Sequence, residues 1–175
     1  MRSPYCYLLL TIFILNSCGQ TGKEHHKNRA KAALKGLSHE GHFQILQEDL
    51  CPVCGMKVKN HEKFACAVQL NNGKTFYTCG TGCLIRIWLN PEPYLGEERS
   101  ALSKMMVQEF FSGQVMDANK VVFIAGSDFI GPMGKAVAPL TPDLIETYKK
   151  RHGGQETFLL RSITVEDWER ITKSE

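Results

Sequence analysis

Two cysteine pairs constrain this chain more than anything else in it. Cys51-Pro52-Val53-Cys54-Gly55-Met56 opens a cysteine-rich stretch, and Phe76-Tyr77-Thr78-Cys79-Gly80-Thr81-Gly82-Cys83 closes it ahead of an apolar helical pattern. The first pair is separated by two residues and the second by three, and the segment between can fold back as a short hairpin. Small proteins commonly gather four sulfur ligands around one metal ion in this way. Residues 51–95 are therefore the stretch around which the rest is organised. The spacing points to a metal without choosing which; disulfide pairing and redox exchange are the alternatives for the same four thiols.

The chain has 175 residues, room for one domain or for two small lobes sharing a core once a leader is removed. A formal charge of +3, with no basic stripe interleaved with aromatics, sets nucleic acid aside as a partner. The start reads as a targeting segment. Arg2 gives a short positive beginning, residues 5–15 are an apolar run too short to span a bilayer, and Leu15-Asn16-Ser17-Cys18 follows. This is similar to a bacterial lipoprotein signal, in which residues 1–17 leave and Cys18 becomes the lipid attachment site. An ordinary secretory leader with an incidental Cys18 is the alternative. Acyl chains on Cys18 would hold the chain on a membrane, each buried methylene adding about 0.8 kcal/mol, and the remainder would face an extracytoplasmic, oxidising space. Of seven cysteines, Cys6 leaves with the leader and Cys18 is acylated, so Cys51, Cys54, Cys66, Cys79 and Cys83 remain. An odd number argues against a plain disulfide framework.

Residues 18–47 read as a flexible tether, basic and poor in apolar residues until Phe43, Ile45 and Leu46. Within it residues 30–37 admit a short helix, and His25, His26, His39 and His42 lack the fixed scaffold a metal site needs. A cysteine-rich lobe is expected over 48–96 and a second lobe over 97–175. In the first, 64–70, the turn signal Asn71-Asn72-Gly73 and 75–77 form a hairpin, with Cys66 as a buried structural thiol at mid-strand. Residues 80–89 form a helix that Asn90-Pro91 stops. Residues 105–111 and 114–116 read as strands about Ser112-Gly113, with a helix over 101–111 as the alternative. The second lobe opens on the buried strand 121–126. A loop over 127–134 follows, then a strand at 136–139. Thr141 would cap the next helix, Pro142 would take its first position and Gly153-Gly154 would end it. A strand at 158–160 and a helix over 163–171 complete the chain. Strand, strand, helix, strand recurs, giving an α+β fold of two ββαβ-type lobes packed together.

If the backbone after Cys54 is extended, Cys54 and Met56 point the same way and offer thiolate beside thioether. Soft donors of that kind select Cu(I), whereas zinc rarely takes methionine; a gap-filling core role for Met56 stands equally open. Cys79 and Cys83 sit four apart at a helix start, where main-chain amides favour thiolates, so both are expected to be ionised at neutral pH. Met133, held in Gly131-Pro132-Met133-Gly134, reads as an exposed thioether on a tight loop or as a chance surface methionine. Met105, Met106 and Met116 fit strand packing. No protease, transferase, phosphate-cradle or thioredoxin pattern is present, so an enzyme is not expected.

The stretch Cys51 to Met56, with Gly73-Lys74-Thr75-Phe76-Tyr77-Thr78-Cys79, Cys83 and Asn90-Pro91-Glu92-Pro93-Tyr94-Leu95, resembles YHS and TRASH-like metal-binding domains. A broader resemblance is to the NosL family, accessory lipoproteins of nitrous oxide reductase maturation. It rests on the lipoprotein signal, Cys54-Gly55-Met56, Val122-Phe123-Ile124-Ala125-Gly126-Ser127-Asp128, Gly131-Pro132-Met133-Gly134 and Arg151-His152-Gly153-Gly154, in that order. The NosL resemblance implies two ββαβ lobes and a periplasmic, lipid-anchored copper chaperone on the outer rather than the inner membrane. It would bind Cu(I) and pass it toward the copper centres of nitrous oxide reductase, directly or through a membrane transporter maturation complex. Cys54 and Met56 are then the expected ligands, with Met133 a candidate third. Cys79 and Cys83 depart from that pattern. With Cys51 and Cys54 they admit a four-cysteine site holding zinc structurally or holding the copper itself, and a structural or storage lipoprotein of YHS/TRASH type is the alternative function. The reading taken is the open cysteine–methionine site, because a closed cage would retain its ion.

Overall fold

The structure, a computed structural model, describes residues 30–173; the expected leader and Cys18 lie outside them. The central strand of the first unit is β1, Cys66–Leu70, whose residues are nearly all buried. It turns through Asn71-Asn72-Gly73, where Gly73 takes φ 82°, into β2, Thr75–Thr78. Leu84, Ile85 and Ile87 of helix α1, Thr81–Leu89, are buried in the core. Helix α2, Glu92–Leu95, follows Asn90-Pro91 and ends at Gly96 in the left-handed region with φ 69°. β3, Leu102–Gln108, runs antiparallel to the free side of β1, and β4, Val115–Asp117, pairs with β3, so the sheet order is β2-β1-β3-β4. This carries the first unit past residue 96, where the sequence reading placed the lobe boundary. The reason is that β1 is central and needs a partner on each edge, and Met105 and Val107 of β3 are buried with it.

The second unit repeats the plan. β5, Val122–Ser127, lies in the middle. After it come the small hairpin β6, Ile130–Gly131, with β7, Gly134–Lys135, and then β8, Ala138–Leu140. A 3-10 turn at Pro142–Leu144 leads into α3, Ile145–His152; Thr141 precedes it without a side-chain cap. β9, Gly153–Phe158, then pairs with β5, giving the order β8-β5-β9. In both units the first strand is central and the chain runs strand, strand, helix, strand, the expected α+β architecture. The last strand differs from the reading at 158–160. β9 alternates exposed and half-buried positions as an edge strand does, and its polar Gln155, Glu156 and Thr157 hide it from a search for apolar runs. Helix α4, Val165–Lys173, begins where the Thr164 Oγ1 and backbone N–H both donate to Asp167 Oδ2.

One core joins the units. Val68, Phe76, Leu84, Ile85 and Ile87 pack in the same buried cluster as Val121, Phe123, Leu160, Trp168 and Ile171. The segment 30–47 is not the solvated tether expected of it. The Ala33 N–H donates to Thr75 O at 2.8 Å, Tyr77 OH donates to Gly36 O at 2.9 Å, and Ile45 is 4% exposed. Residues 30–37 are not helical; Ala30, Ala32, Ala33 and Leu37 lie against the core instead.

Gly154 is where this fold tolerates least. Its φ is 130°, and an added Cβ would stand 2.5 Å from Ile124 Cγ2 in β5. Gly154→Ala is expected to destabilise the protein by about 2 kcal/mol or more, combining backbone strain with overpacking; the midpoint of urea unfolding checks this.

Candidate metal centre

Three local structures deliver the four thiols. Residues 51–56 close into a tight loop: Cys51 N–H donates to Met56 O at 2.9 Å and Gly55 N–H donates to Cys51 O at 2.8 Å. Gly55, at φ 76°, supplies the left-handed residue that this closure requires. Cys79 stands at the end of β2, and Cys83 lies in the first turn of α1, its N–H on Gly80 O at 3.2 Å. The four Sγ atoms of Cys51, Cys54, Cys79 and Cys83 all lie within 4.8 Å of one another. Cys54 and Cys79 are 3.4 Å apart and Cys79 and Cys83 3.8 Å. All are free thiols. A tetrahedral ion with metal–sulfur bonds of about 2.3 Å has sulfur–sulfur edges of about 3.8 Å, so these thiols fit one soft ion with little movement. Among the described residues this is the one group of histidine, cysteine and acidic side chains gathered closely enough to hold a metal.

Burial makes the cluster lopsided. Cys51, Cys79 and Cys83 are sealed, and Cys54 alone is partly exposed. The charge is also unevenly held. The thiols of Cys79 and Cys83 donate to Cys51 and hold it well below the ordinary thiol range, as a thiolate. Cys79 and Cys83 are correspondingly pushed up, chiefly because each shares its proton with Cys51, with burial adding to the effect. The expectation that both would be ionised at the helix start is thus reversed: the negative charge sits on Cys51, and a second thiolate beside it is opposed by the first.

The backbone after Cys54 is not extended, because Gly55 turns it; Met56 is half-buried and packs with Cys54 against the cluster containing Cys51, Cys79 and Cys83. Met133 is 57% exposed, between β6 and β7. It lines a groove of about 710 Å³ between the two units that Cys79 and Cys83 also line. The hairpin comes close to the chain beside Cys79: a Cβ on Gly80 would lie 3.9 Å from Pro132 Cδ. Cys66 is buried outside the cluster, and its thiol is pushed up to about 12 by burial. His39 and His42 are exposed, and His25 and His26 lie outside the described residues. Sequence reasoning gave no role to Glu109, Phe110 or Phe129, which meet in the same groove; their meeting depends on how the two units pack, which no local pattern records.

Iodoacetamide is expected to modify Cys54 first in reduced, metal-free protein and to leave Cys66 untouched until unfolding, as peptide mass spectrometry would show. Keeping Cys66 neutral stabilises the fold fully below its ordinary value of 9.0, and that contribution is lost as the pH rises toward about 12.

Two ββαβ units and a convergent set of four thiols define a small α+β protein built around a sulfur cluster able to bind metal. Residues 42–167 match the NosL family, and the chain belongs to it. The copper chaperone NosL from Shewanella denitrificans, a crystal structure, shares the fold with a TM-score of 0.60 at 20% identity, over 71% of this chain and 96% of that one. No curated protein matches the sequence.

Proposed function

We propose that this protein is a membrane-anchored copper carrier on the periplasmic side of a bacterial membrane, holding Cu(I) and giving it up for assembly of the copper centres of nitrous oxide reductase. The observation that carries the reading is the lopsided cluster: four convergent sulfurs, three sealed and Cys54 partly open. Thiolates select monovalent copper over hard ions. Cu(I) is content with two or three sulfur ligands, so the Cys54 corner can be vacated for an incoming ligand while the sealed thiols still hold the ion. Copper then moves without being released to solvent. In this reading Met56, packed with Cys54 against the same buried cluster, and Met133, at the groove, are the auxiliary thioethers. The family membership and the copper chaperone that shares the fold support copper as the cargo. The nitrous oxide reductase, its transporter complex and the lipid anchor at Cys18 come from the sequence resemblance alone. The role is carriage, with no chemical transformation.

The sealed character of Cys51, Cys79 and Cys83 favours a second reading, a resident zinc that holds the first unit together. Titration of reduced, metal-free protein with Cu(I) against a competing chelator separates the two. The carrier reading expects a folded metal-free protein that takes one Cu(I) and returns it to the competitor within minutes, more slowly in Cys54→Ser. Metal-free protein that is unfolded, recovers only with Zn(II) and resists Cu(I) would establish the zinc reading instead.

A further inference from the structure

The four sulfurs offer a second chemistry besides metal binding. Cys54, partly exposed in the loop over 51–56, has its Sγ 3.4 Å from the Sγ of Cys79, which is buried at the end of β2. A disulfide holds its two sulfurs at about 2.05 Å, so this pair has little distance to close, with one member open to a reagent and the other sealed behind it. Exchange at such a pair runs in two displacements. The Cys54 sulfur attacks one sulfur of an incoming disulfide RSSR, forming a mixed disulfide on Cys54 and expelling the first RSH. The Cys79 sulfur then attacks Cys54 Sγ, the bond between the two cysteines forms and the second RSH leaves. Two protein thiols are oxidised by two electrons, RSSR is reduced to two RSH, and both thiol protons leave on the products. No further reactant is needed.

We infer that Cys54 and Cys79 form a reversible disulfide by exchange with small-molecule disulfides, and that this bond locks the carrier in an empty form. The metal ligand is the thiolate, so closing the pair takes two of the four sulfurs from the ion at once. Cys79 is central to the loss, since its sulfur also lies 3.8 Å from that of Cys83; Cys51 and Cys83 are left as thiols. The cargo itself is not changed, because the chemistry falls on the protein's own sulfurs. Linkage makes the effect reciprocal: an ion on the four sulfurs withholds Cys54 and Cys79 from oxidation as strongly as oxidation opposes the ion. The fifth thiol stands apart. Cys66 is 1% exposed, and its Sγ donates to Phe64 O at 3.6 Å, so no reagent reaches it in the folded protein. The extracytoplasmic space that the leader implies is one in which disulfides persist. There the carrier needs a thiol donor before it can load. The lock rests in this respect on the carrier reading; the sulfur exchange does not.

The probe is oxidised glutathione, added in excess to reduced, metal-free protein in the absence of oxygen. Free thiols are then blocked under denaturing conditions and the peptides mapped by mass spectrometry. A disulfide between the peptides of Cys54 and Cys79 is expected, with two molecules of reduced glutathione formed per bond and with Cys51, Cys66 and Cys83 recovered as blocked thiols. Cys79→Ser should stop at a mixed disulfide between Cys54 and glutathione, and Cys54→Ser should leave Cys79 unoxidised; the map of the unaltered chain decides the pairing whether or not either variant folds. The oxidised protein should bind Cu(I) about a hundredfold more weakly, or worse, than the reduced protein in competition with a chelator, and dithiothreitol should restore the binding. Cys54 paired with Cys51, a mixed disulfide as the end product in the unaltered chain, no reaction, or undiminished Cu(I) binding by the oxidised protein would overturn the inference. Reduced protein that forms the bond yet takes no Cu(I) would count against the carrier reading alone, and the lock is then decided with Zn(II) in the same competition.

Discussion

Cys79→Ser is expected to weaken metal binding about a hundredfold or more. Structural sites of this kind gain about 10–16 kcal/mol from their metal, so one of four sulfurs contributes roughly 3 kcal/mol, which is about two powers of ten. Cys79 is the position to choose because it touches both Cys54 and Cys83 and is completely buried. A serine there has no thiolate to offer. Cys54→Ser removes a ligand too, but at the exposed corner, where solvent can stand in, so its equilibrium loss should be smaller and its effect on exchange rate larger. Competition titrations and stopped-flow transfer on the two variants check the contrast. Equal loss of affinity with unchanged exchange rates in both would remove the distinction between sealed and open sulfurs.

The second large effect is of pH. In the metal-free protein the ordinary thiol value is 9.0, and Cys79 and Cys83 are held above it while Cys51 is held far below. A metal bound as thiolate by all of these must therefore displace protons from Cys79 and Cys83 at any pH below 9 and none from Cys51. Each displaced proton makes the apparent affinity rise about tenfold per pH unit, so these two alone contribute about a hundredfold per unit. Affinity should climb steeply from pH 6 to pH 9. Proton release on loading, measured in weakly buffered solution, gives an independent count. A flat profile would mean that the thiols were ionised before the metal arrived.

The sulfur site was legible because its spacing is local. Cys51 with Cys54 and Cys79 with Cys83 each lie within one turn of chain, and the β1–β2 hairpin that brings the pairs together is announced by Asn71-Asn72-Gly73. The repeat of strand, strand, helix, strand was legible for the same reason, through the buried β5 and the glycines that end α3. The side on which Met56 faces was not, because it turns on a single left-handed glycine, Gly55, whose conformation depends on the hydrogen bonds that close the loop. Nor was the ionisation of the cluster. A helix start lowers a thiol's pKa when it acts alone, but here three sulfurs share protons and the first thiolate opposes the next. The segment 30–47 misled for a third reason. Its composition is that of a spacer, yet its few alanines and Ile45 suffice when a finished sheet edge and the Tyr77 hydroxyl are available to receive them.

The shared core has a thermodynamic consequence for cargo. Trp168 of α4 lies against the start of α1, 3.8 Å from where a Cβ on Gly82 would be, and residues of both units share one buried cluster. The two halves must then melt as one cooperative body. Whatever free energy an ion contributes at the sulfurs is felt equally by β9 and α4, which supply no ligand, so loading raises the melting point of the whole molecule and departure of the ion loosens all of it at once.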